Sequence, residues 1–444
     1  MQYLIAKYNY PAPRYTSYPA VPFWNGDVSE NTWLQSIEKN PEYKKGVDVY
    51  IHIPYCESLC FYCGCHRFIT KNKSTGNDYV LALLKEWNLY SHKLSGVKIN
   101  SLHLGGGTPT FLSPVAMKLL IGGLFPFFND DFIGSVEIDP RTCLDEHLEI
   151  FQQYGLNRVS LGIQDFNYDV QNAVNRIQPF SLVKDLVKKL RRKKIKSLNF
   201  DLIYGLPLQT KQTIEDTIKK VTFLKPDLVA FYSYAHLPDK IKNQKLISQA
   251  SLPTGAEKRE LYEHGKKLLQ QNEYFEIGLD HFARRDSYLY KVYQKKQIVR
   301  NFMGYTDKVS ANLIGLGISS ISNNEGFYAQ NTKDISIYNE YLLKGQLPIV
   351  HGHQLTQEDS LIGRIIQEIM CNGRVPLSLL KKCKNWDIVY QKLSEMERDG
   401  LVTLESSGTK QLVVNDIGKP FLRPIVMAID PYMQVNKTLF SQTL

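Results

Sequence analysis

Six short segments rich in β-branched and aromatic residues recur along the chain, each followed by a stretch with other spacing. They are VDVYIHI from Val47, INSLHL from Ile99, GSVEID from Gly134, RVSLGI from Arg158, SLNFDLIY from Ser197 and LVAFYSY from Leu228. Between them lie helix-like stretches such as NDYVLALLKEWNLYSHKL from Asn77 and TIEDTIKKVTFL from Thr213. Strands separated by helices are too far apart to pair as hairpins. They run parallel, joined by right-handed crossovers. Six such units predict an α/β fold, a partial (β/α)6 barrel with an extension over residues 46–350.

The flanks read differently. Residues 1–45 include YNYPAPRYTSYPAVPFW, rich in Pro, Tyr and Trp and without a period, which predicts an extended N-terminal arm laid on the rest. Over 351–444, IGRIIQEIMCNG and DIVYQKLSEMERDG have helical spacing, and LVTLESSGTKQLVVN reads as a hairpin around Ser406, Ser407 and Gly408. Helices followed by a hairpin predict a small winged-helix-like α+β domain acting as a structural cap. The 444 residues carry a net charge of +10, and the densest basic run is KKLRRKKIK, Lys188 to Lys196. No aromatic side chain interleaves it, so it reads as the solvated face and end of a helix rather than a nucleic-acid platform. The surplus positive charge suits a small substrate rich in carboxylates. The strongest apolar run, LLIGGLFPFF from Leu119, is too short to span a bilayer, and the N-terminus lacks the apolar core of a signal peptide. A cytoplasmic protein without membrane contact is expected.

Four of the seven cysteines, Cys56, Cys60, Cys63 and Cys65, crowd into YIHIPYCESLCFYCGCHRFIT directly after the first strand. In a reducing compartment such a cluster points to metal binding rather than disulfides. Structural zinc sites usually pair two knuckles, and here one C-x-x-C stands alone. An iron–sulfur cluster fits better, because thiolates are its usual ligands. Four thiolates would close it; three would leave one iron open to a ligand.

The ends of the later strands are polar as well. GGGTPT, Gly105 to Thr110, follows the second strand, where glycines let backbone N–H groups approach a ligand closely. VEIDPR brings Glu137 and Asp139, GIQDFN brings Gln164, FDLIYGLP brings Asp201, and YSYAHLP brings Ala235 and His236. Any one can be an ordinary loop residue, but parallel barrels build their sites at these ends. His52 and His103 sit inside strands and read as hydrogen-bonded structural residues.

C-x-x-x-C-x-x-C with Tyr62 before its last cysteine resembles the motif of the radical S-adenosylmethionine superfamily. Taken with LIAKYNYPAPRYTSYP, LHLGGGTPTFL, VEIDPR, NFDLIYGLP, GLDHFAR, RNFMGYT and the additional Cys65, the chain resembles one branch nearly end to end, the oxygen-independent coproporphyrinogen III oxidases. That resemblance implies a barrel of the radical S-adenosylmethionine type. It also implies a 4Fe–4S cluster on Cys56, Cys60 and Cys63, whose fourth iron is chelated by S-adenosylmethionine. Tyr50, Gly106, Glu137 and Ile321 would contact this cofactor. A second S-adenosylmethionine would meet Tyr62, Gly107, Thr108, Gln164, Arg176, Asp201 and Ala235. Ile177 and Thr142 depart from the branch's usual acidic residues beside these positions. The implied reaction is oxidative decarboxylation of two propionates of coproporphyrinogen III to vinyl groups, giving protoporphyrinogen IX. A protein reductant such as a flavodoxin or ferredoxin would serve a monomeric enzyme. The rival within the superfamily is a haem chaperone or haem-modifying homologue, against which the arm and Cys65 argue.

Overall fold

The computed structural model describes residues 2–24, 26, 28–404, 410–434 and 440–442. All six expected strands form: β1 Val47–Ile53, β2 Ile99–Gly106, β3 Phe128–Ile138, β4 Leu156–Gln164, β5 Ser197–Tyr204 and β6 Leu228–Ser233. They lie side by side in chain order and pair in parallel. Strand period explains the two faces. In β5, Leu198, Phe200, Leu202 and Tyr204 are buried against helices, whereas Asn199 and Asp201 face inward. In β4, Val159, Leu161 and Ile163 are buried while Ser160 lines the inside. The interior is therefore polar by design of the alternation.

Helices pack outside. Ser74–Lys93 buries Tyr79, Val80, Leu83, Trp87 and Tyr90 at three- and four-residue spacing. Lys211–Leu224 starts at Thr210, whose hydroxyl accepts from the Thr213 N–H, and buries Ile214, Ile218, Val221 and Leu224. Each such aliphatic side chain contributes about 1.5–3 kcal/mol on burial and the cap about 1 kcal/mol. The basic run ends helix Phe180–Arg192, whose Val183, Leu186, Val187 and Leu190 are buried. Lys189 and Lys193 meet Asp145 and Glu149. It is the solvated face that the sequence predicts.

The sheet goes further than six strands. β7 Tyr274–Glu276 and β8 His281–Arg284 add antiparallel beyond β6. β9 Asn312–Leu316 pairs in parallel with β1, and β10 Ile321–Asn324, β11 Phe327–Asn331 and β12 Ile349–Gln354 follow as antiparallel neighbours. The order is β12-β11-β10-β9-β1-β2-β3-β4-β5-β6-β8-β7, with β12 and β7 as edges, so the sheet is open rather than a closed barrel. It nonetheless curves. One cavity of about 1410 Å³ is lined from every strand β1 to β6, including Asp48, Ser101, Glu137, Ser160, Asp201 and Tyr232. The hairpin Val299–Asn301 and Gly304–Thr306 lies across this lumen.

The segment read as an aperiodic arm contains two helices, Gln2–Tyr8 and Glu30–Glu38. The second is capped by Ser29 and buries Trp33, Leu34 and Ile37 against the barrel core. Between them Tyr8, Ala12, Tyr15 and Tyr18 join a separate apolar core with Ile362, Ile365, Ile369, Phe421 and Ile425. Tyr15 and Tyr18 both donate to the Asp430 carboxylate, at 3.0 and 3.3 Å. The C-terminal part carries helices Gln357–Asn372 and Trp386–Arg398 and a small antiparallel sheet of β13 Arg374–Pro376, β14 Val402–Thr403 and β15 Gln411–Val414. β14 and β15 are the arms of the expected hairpin; its turn, Ser406 to Gly408, lies outside the described residues. Among the described residues no helix is long and apolar enough to cross a membrane.

Candidate functional site

The cysteine loop springs from the end of β1. Tyr55–Cys56 pairs in parallel with Phe68–Ile69, and the Phe68 and Thr70 N–H groups donate to the Pro54 and Cys56 carbonyls at 2.6 and 3.0 Å. The excursion between them is closed at its base. Its tip is held from two sides. Asn243 Nδ2 donates to the carbonyls of Phe61 and Cys63 at 2.7 and 3.1 Å, and Gln244 Nε2 to those of Tyr62 and Ala235, each at 3.0 Å. Asn175 Nδ2 reaches the Leu59 carbonyl at 2.8 Å. Loop carbonyls that would otherwise need water are thereby paired with protein.

All seven cysteines are unbridged; Cys60 is buried, Cys56 and Cys63 half-buried and Cys65 exposed. Burial first, then Cys63 and Cys60, push the Cys56 thiol up to about 12. A hydrogen bond between Cys63 and Cys65 favours one thiolate in that pair, and it lies on Cys63. Among the described residues no three His, Cys, Asp or Glu side chains converge as a single metal ion requires. The thiols are spread along the loop, an arrangement suited to a cluster that offers one iron to each.

Cations face them. Arg176 is buried and sets Nη1 at 3.5 Å from Cys60 Sγ and 3.1 Å from Asp139 Oδ2, while Nη2 donates to the Gly162 carbonyl at 2.7 Å. Its Nε is buried without an acceptor. Arg141 Nη2 lies 3.7 Å from Cys60 Sγ and 2.6 Å from Asp139 Oδ2. Burial alone would raise the Asp139 carboxyl, yet Arg176 and then Arg141 hold it down at about 2. Two guanidiniums shared between one carboxylate and one sulfur leave positive charge for thiolates and their cluster, so this donor set fits a 4Fe–4S group.

The glycines act on the loop itself. Gly106 has φ +113°, and a Cβ there would meet the Ile53 carbonyl at 2.8 Å; one on Gly107 would meet the Tyr55 carbonyl at 2.8 Å and Cys56 Sγ at 3.1 Å. The N–H groups of Gly107 and Thr108 donate to the Ile53 and Tyr55 carbonyls at 2.8 and 3.0 Å. The expectation that these N–H groups face a ligand is thus corrected. They are spent clamping β2's end to the cysteine loop, and what the glycines provide is close approach.

Of the remaining predicted positions, Glu137 and Asp201 line the lumen. Glu137, partly exposed, accepts from His103 Nε2 at 3.1 Å, and Tyr50 stacks on His103 at 5.8 Å between centroids. Tyr50's phenol is raised by burial first and then by Glu137 and Cys65. His52 bonds the Tyr50 hydroxyl and the His66 carbonyl, so it and His103 are hydrogen-bonded strand residues, His103 with an added hold on Glu137. Tyr50 is paired in register with Gly315, whose Cβ position is filled by the Ile321 backbone. Gln164 ends β4 in the left-handed region, φ +65°, where a non-glycine residue is strained, and its amide sits beside Gly162 with Arg176. Asp201 accepts from Ser160 Oγ at 2.7 Å and Asn199 Nδ2 at 2.9 Å; burial lifts its carboxyl to about 6. The sequence reading missed Asn243 and Gln244, which stand in the featureless stretch KIKNQKL, and Arg141, whose signal was its place in VEIDPR.

Residues 50–221 match the radical S-adenosylmethionine superfamily. An oxygen-independent coproporphyrinogen III oxidase of Helicobacter pylori is 36% identical over 99% of this chain and 98% of its own. The anaerobic coproporphyrinogen III oxidase 1 of Cereibacter sphaeroides is 42% identical over 95% of this chain and 94% of its own. The solved coproporphyrinogen III oxidase of Escherichia coli, described as a radical S-adenosylmethionine enzyme, superposes with a TM-score of 0.88 at 34% identity, covering 94% of this chain and 97% of that one.

Proposed function

This chain belongs to the oxygen-independent coproporphyrinogen III oxidases of the radical S-adenosylmethionine superfamily, and from that premise we infer that it oxidatively decarboxylates coproporphyrinogen III to protoporphyrinogen IX in haem biosynthesis. The observation that carries the reading is the cysteine loop that follows β1, with Arg176 and Arg141 both set against Cys60 Sγ. We further propose that Cys56, Cys60 and Cys63 hold the cluster. Tyr50, Gly106, Glu137 and Ile321 meet a first S-adenosylmethionine, and Tyr62, Gly107, Thr108, Gln164, Arg176, Asp201 and Ala235 a second.

When bound, the cluster and S-adenosylmethionine supply reductive radical chemistry that removes a hydrogen from the β-carbon of a substrate propionate. The chain's own residues prepare it. Arg141 and Arg176 set guanidinium N–H groups against Cys60 Sγ, Asn243 and Gln244 fix the loop, and Gly107 lets Cys56 lie close to β2. Glu137 offers a carboxylate to hydroxyl or ammonium donors, oriented by His103. Asp201, lifted by burial, accepts or donates according to its protonation. A flavodoxin- or ferredoxin-like reductant, action as a monomer in the cytoplasm, and division at 1–45, 46–350 and 351–444 complete the proposal. Separate apolar cores for the barrel and for the C-terminal part, between which the arm's residues are divided, support the boundary near 350.

Anaerobic protein with reductant, S-adenosylmethionine and coproporphyrinogen III should yield 5′-deoxyadenosine and a product lighter by two formic-acid equivalents. Deoxyadenosine formed while the substrate stays intact would instead favour a haem-handling homologue.

A further inference from the structure

Where the arm crosses the β6–β8 side of the mouth, four cationic side chains gather around one carboxylate. Arg14 pairs with Asp280 and lies over the Tyr232 ring, 5.5 Å from its centroid. Arg300, from the hairpin across the lumen, donates Nη1 to the Arg14 carbonyl at 2.7 Å and lies 5.5 Å from the Tyr305 centroid. Arg300 is only 8% exposed, and its Nε is buried with no acceptor. Arg423 donates to the Ala12 and Pro13 carbonyls, and Lys258 Nζ to the Tyr234 carbonyl at 2.6 Å.

These cations act on one another. Burial, then Arg14 and Arg423, pull the Lys258 ammonium down to about 8; burial, then Arg14, pulls the Arg423 guanidinium down to about 10. Gathering buried like charges is costly, and an anion offsets the cost. Arg14 is the member that can meet one, because its side chain is 32% exposed and its ring neighbour Tyr232 lines the lumen together with Tyr305.

We propose that Arg14, backed by Arg300, forms a carboxylate subsite for a propionate of the porphyrinogen that is not itself being decarboxylated. The proposal rests on the functional reading above. A guanidinium offers a planar two-donor fork to a carboxylate, and Asp280 occupies that fork until a substrate carboxylate replaces it. The arm then contributes to substrate recognition and does more than strap the barrel to the C-terminal part.

Two variants separate these roles. A strap needs the Arg14–Asp280 pair, so Arg14→Gln and Asp280→Asn would behave alike. A subsite needs only the guanidinium. Arg14→Gln should raise KM for coproporphyrinogen III roughly ten- to hundredfold with iron, sulfide and S-adenosylmethionine binding unchanged, whereas Asp280→Asn should leave KM level or lower it. Arg14→Lys, which keeps the charge and loses the fork, should fall between and carries the test if Arg14→Gln folds poorly. Direct binding of coproporphyrin III to the cluster-loaded protein, read by its fluorescence, should weaken in the same order. Wild-type protein that binds this porphyrin but never converts coproporphyrinogen III sinks the functional reading, while the binding series still judges the subsite. Equal binding by wild type and Arg14→Gln, or equal weakening by Arg14→Gln and Asp280→Asn, overturns the subsite.

Discussion

Glu86, fully buried in the middle of helix Ser74–Lys93, should make this protein lose stability as pH rises from 5 to 8. Its carboxyl accepts from the Gly317 N–H at 2.8 Å, Asn331 Nδ2 at 2.6 Å and the Tyr338 hydroxyl at 2.6 Å. These donors favour the ionised form. Burial outweighs them and lifts the carboxyl from 4.5 to about 7. The folded state therefore holds a proton between those values that the unfolded chain has released. The stabilisation is complete below about pH 4.5 and is lost as pH climbs towards 7. The shift corresponds to about 3 kcal/mol at 1.36 kcal/mol per pH unit. Glu86→Gln keeps the shape and cannot ionise. Anaerobic urea unfolding at pH 5, 6, 7 and 8 should show the variant gaining about 2.5 kcal/mol on the wild type across the series, other titrations cancelling in the difference. A gap constant to within about 0.5 kcal/mol would show that the three donors keep Glu86 ionised throughout, and the reasoning from burial would be wrong. The consequence reaches the site, because Glu86 holds the Gly317–Ser320 turn that leads into Ile321.

Ser in place of Cys56, Cys60 or Cys63 should each abolish the oxygen-sensitive brown chromophore, while Cys65→Ser should retain iron, sulfide and the spectral change on adding S-adenosylmethionine; loss of the cluster in Cys65→Ser with retention in one of the others would reverse the ligand assignment. Glu137→Ala should keep the cluster and weaken S-adenosylmethionine binding by about 1.5–3 kcal/mol, the worth of one charge-assisted hydrogen bond, and unchanged affinity in an anaerobic titration removes Glu137 from the site.

The alternation of strand and helix over residues 47–233 was readable because period is a local property. Val159, Leu161 and Ile163 alternate with Ser160, Gly162 and Gln164 whatever the rest of the chain does. The cysteine spacing was readable for the same reason, since one short loop carries Cys56, Cys60, Cys63 and Cys65. Helix Glu30–Glu38 was hidden by the Pro- and aromatic-rich sequence before it, and β7 to β12 by their shortness, three to six residues each. The GGGTPT segment was visible in the sequence, but not that the N–H groups of Gly107 and Thr108 close on the Ile53 and Tyr55 carbonyls. Likewise nothing local marks Asn243 and Gln244 as the clamp on a loop some 180 residues earlier. Nor does anything local bring Arg14 beside Asp280, Arg300 and Arg423. Those groupings depend on how the barrel curves and where the arm lies. Side-chain period is written into each strand by backbone geometry, but which charges share a buried space is settled only when distant segments pack and exclude water together.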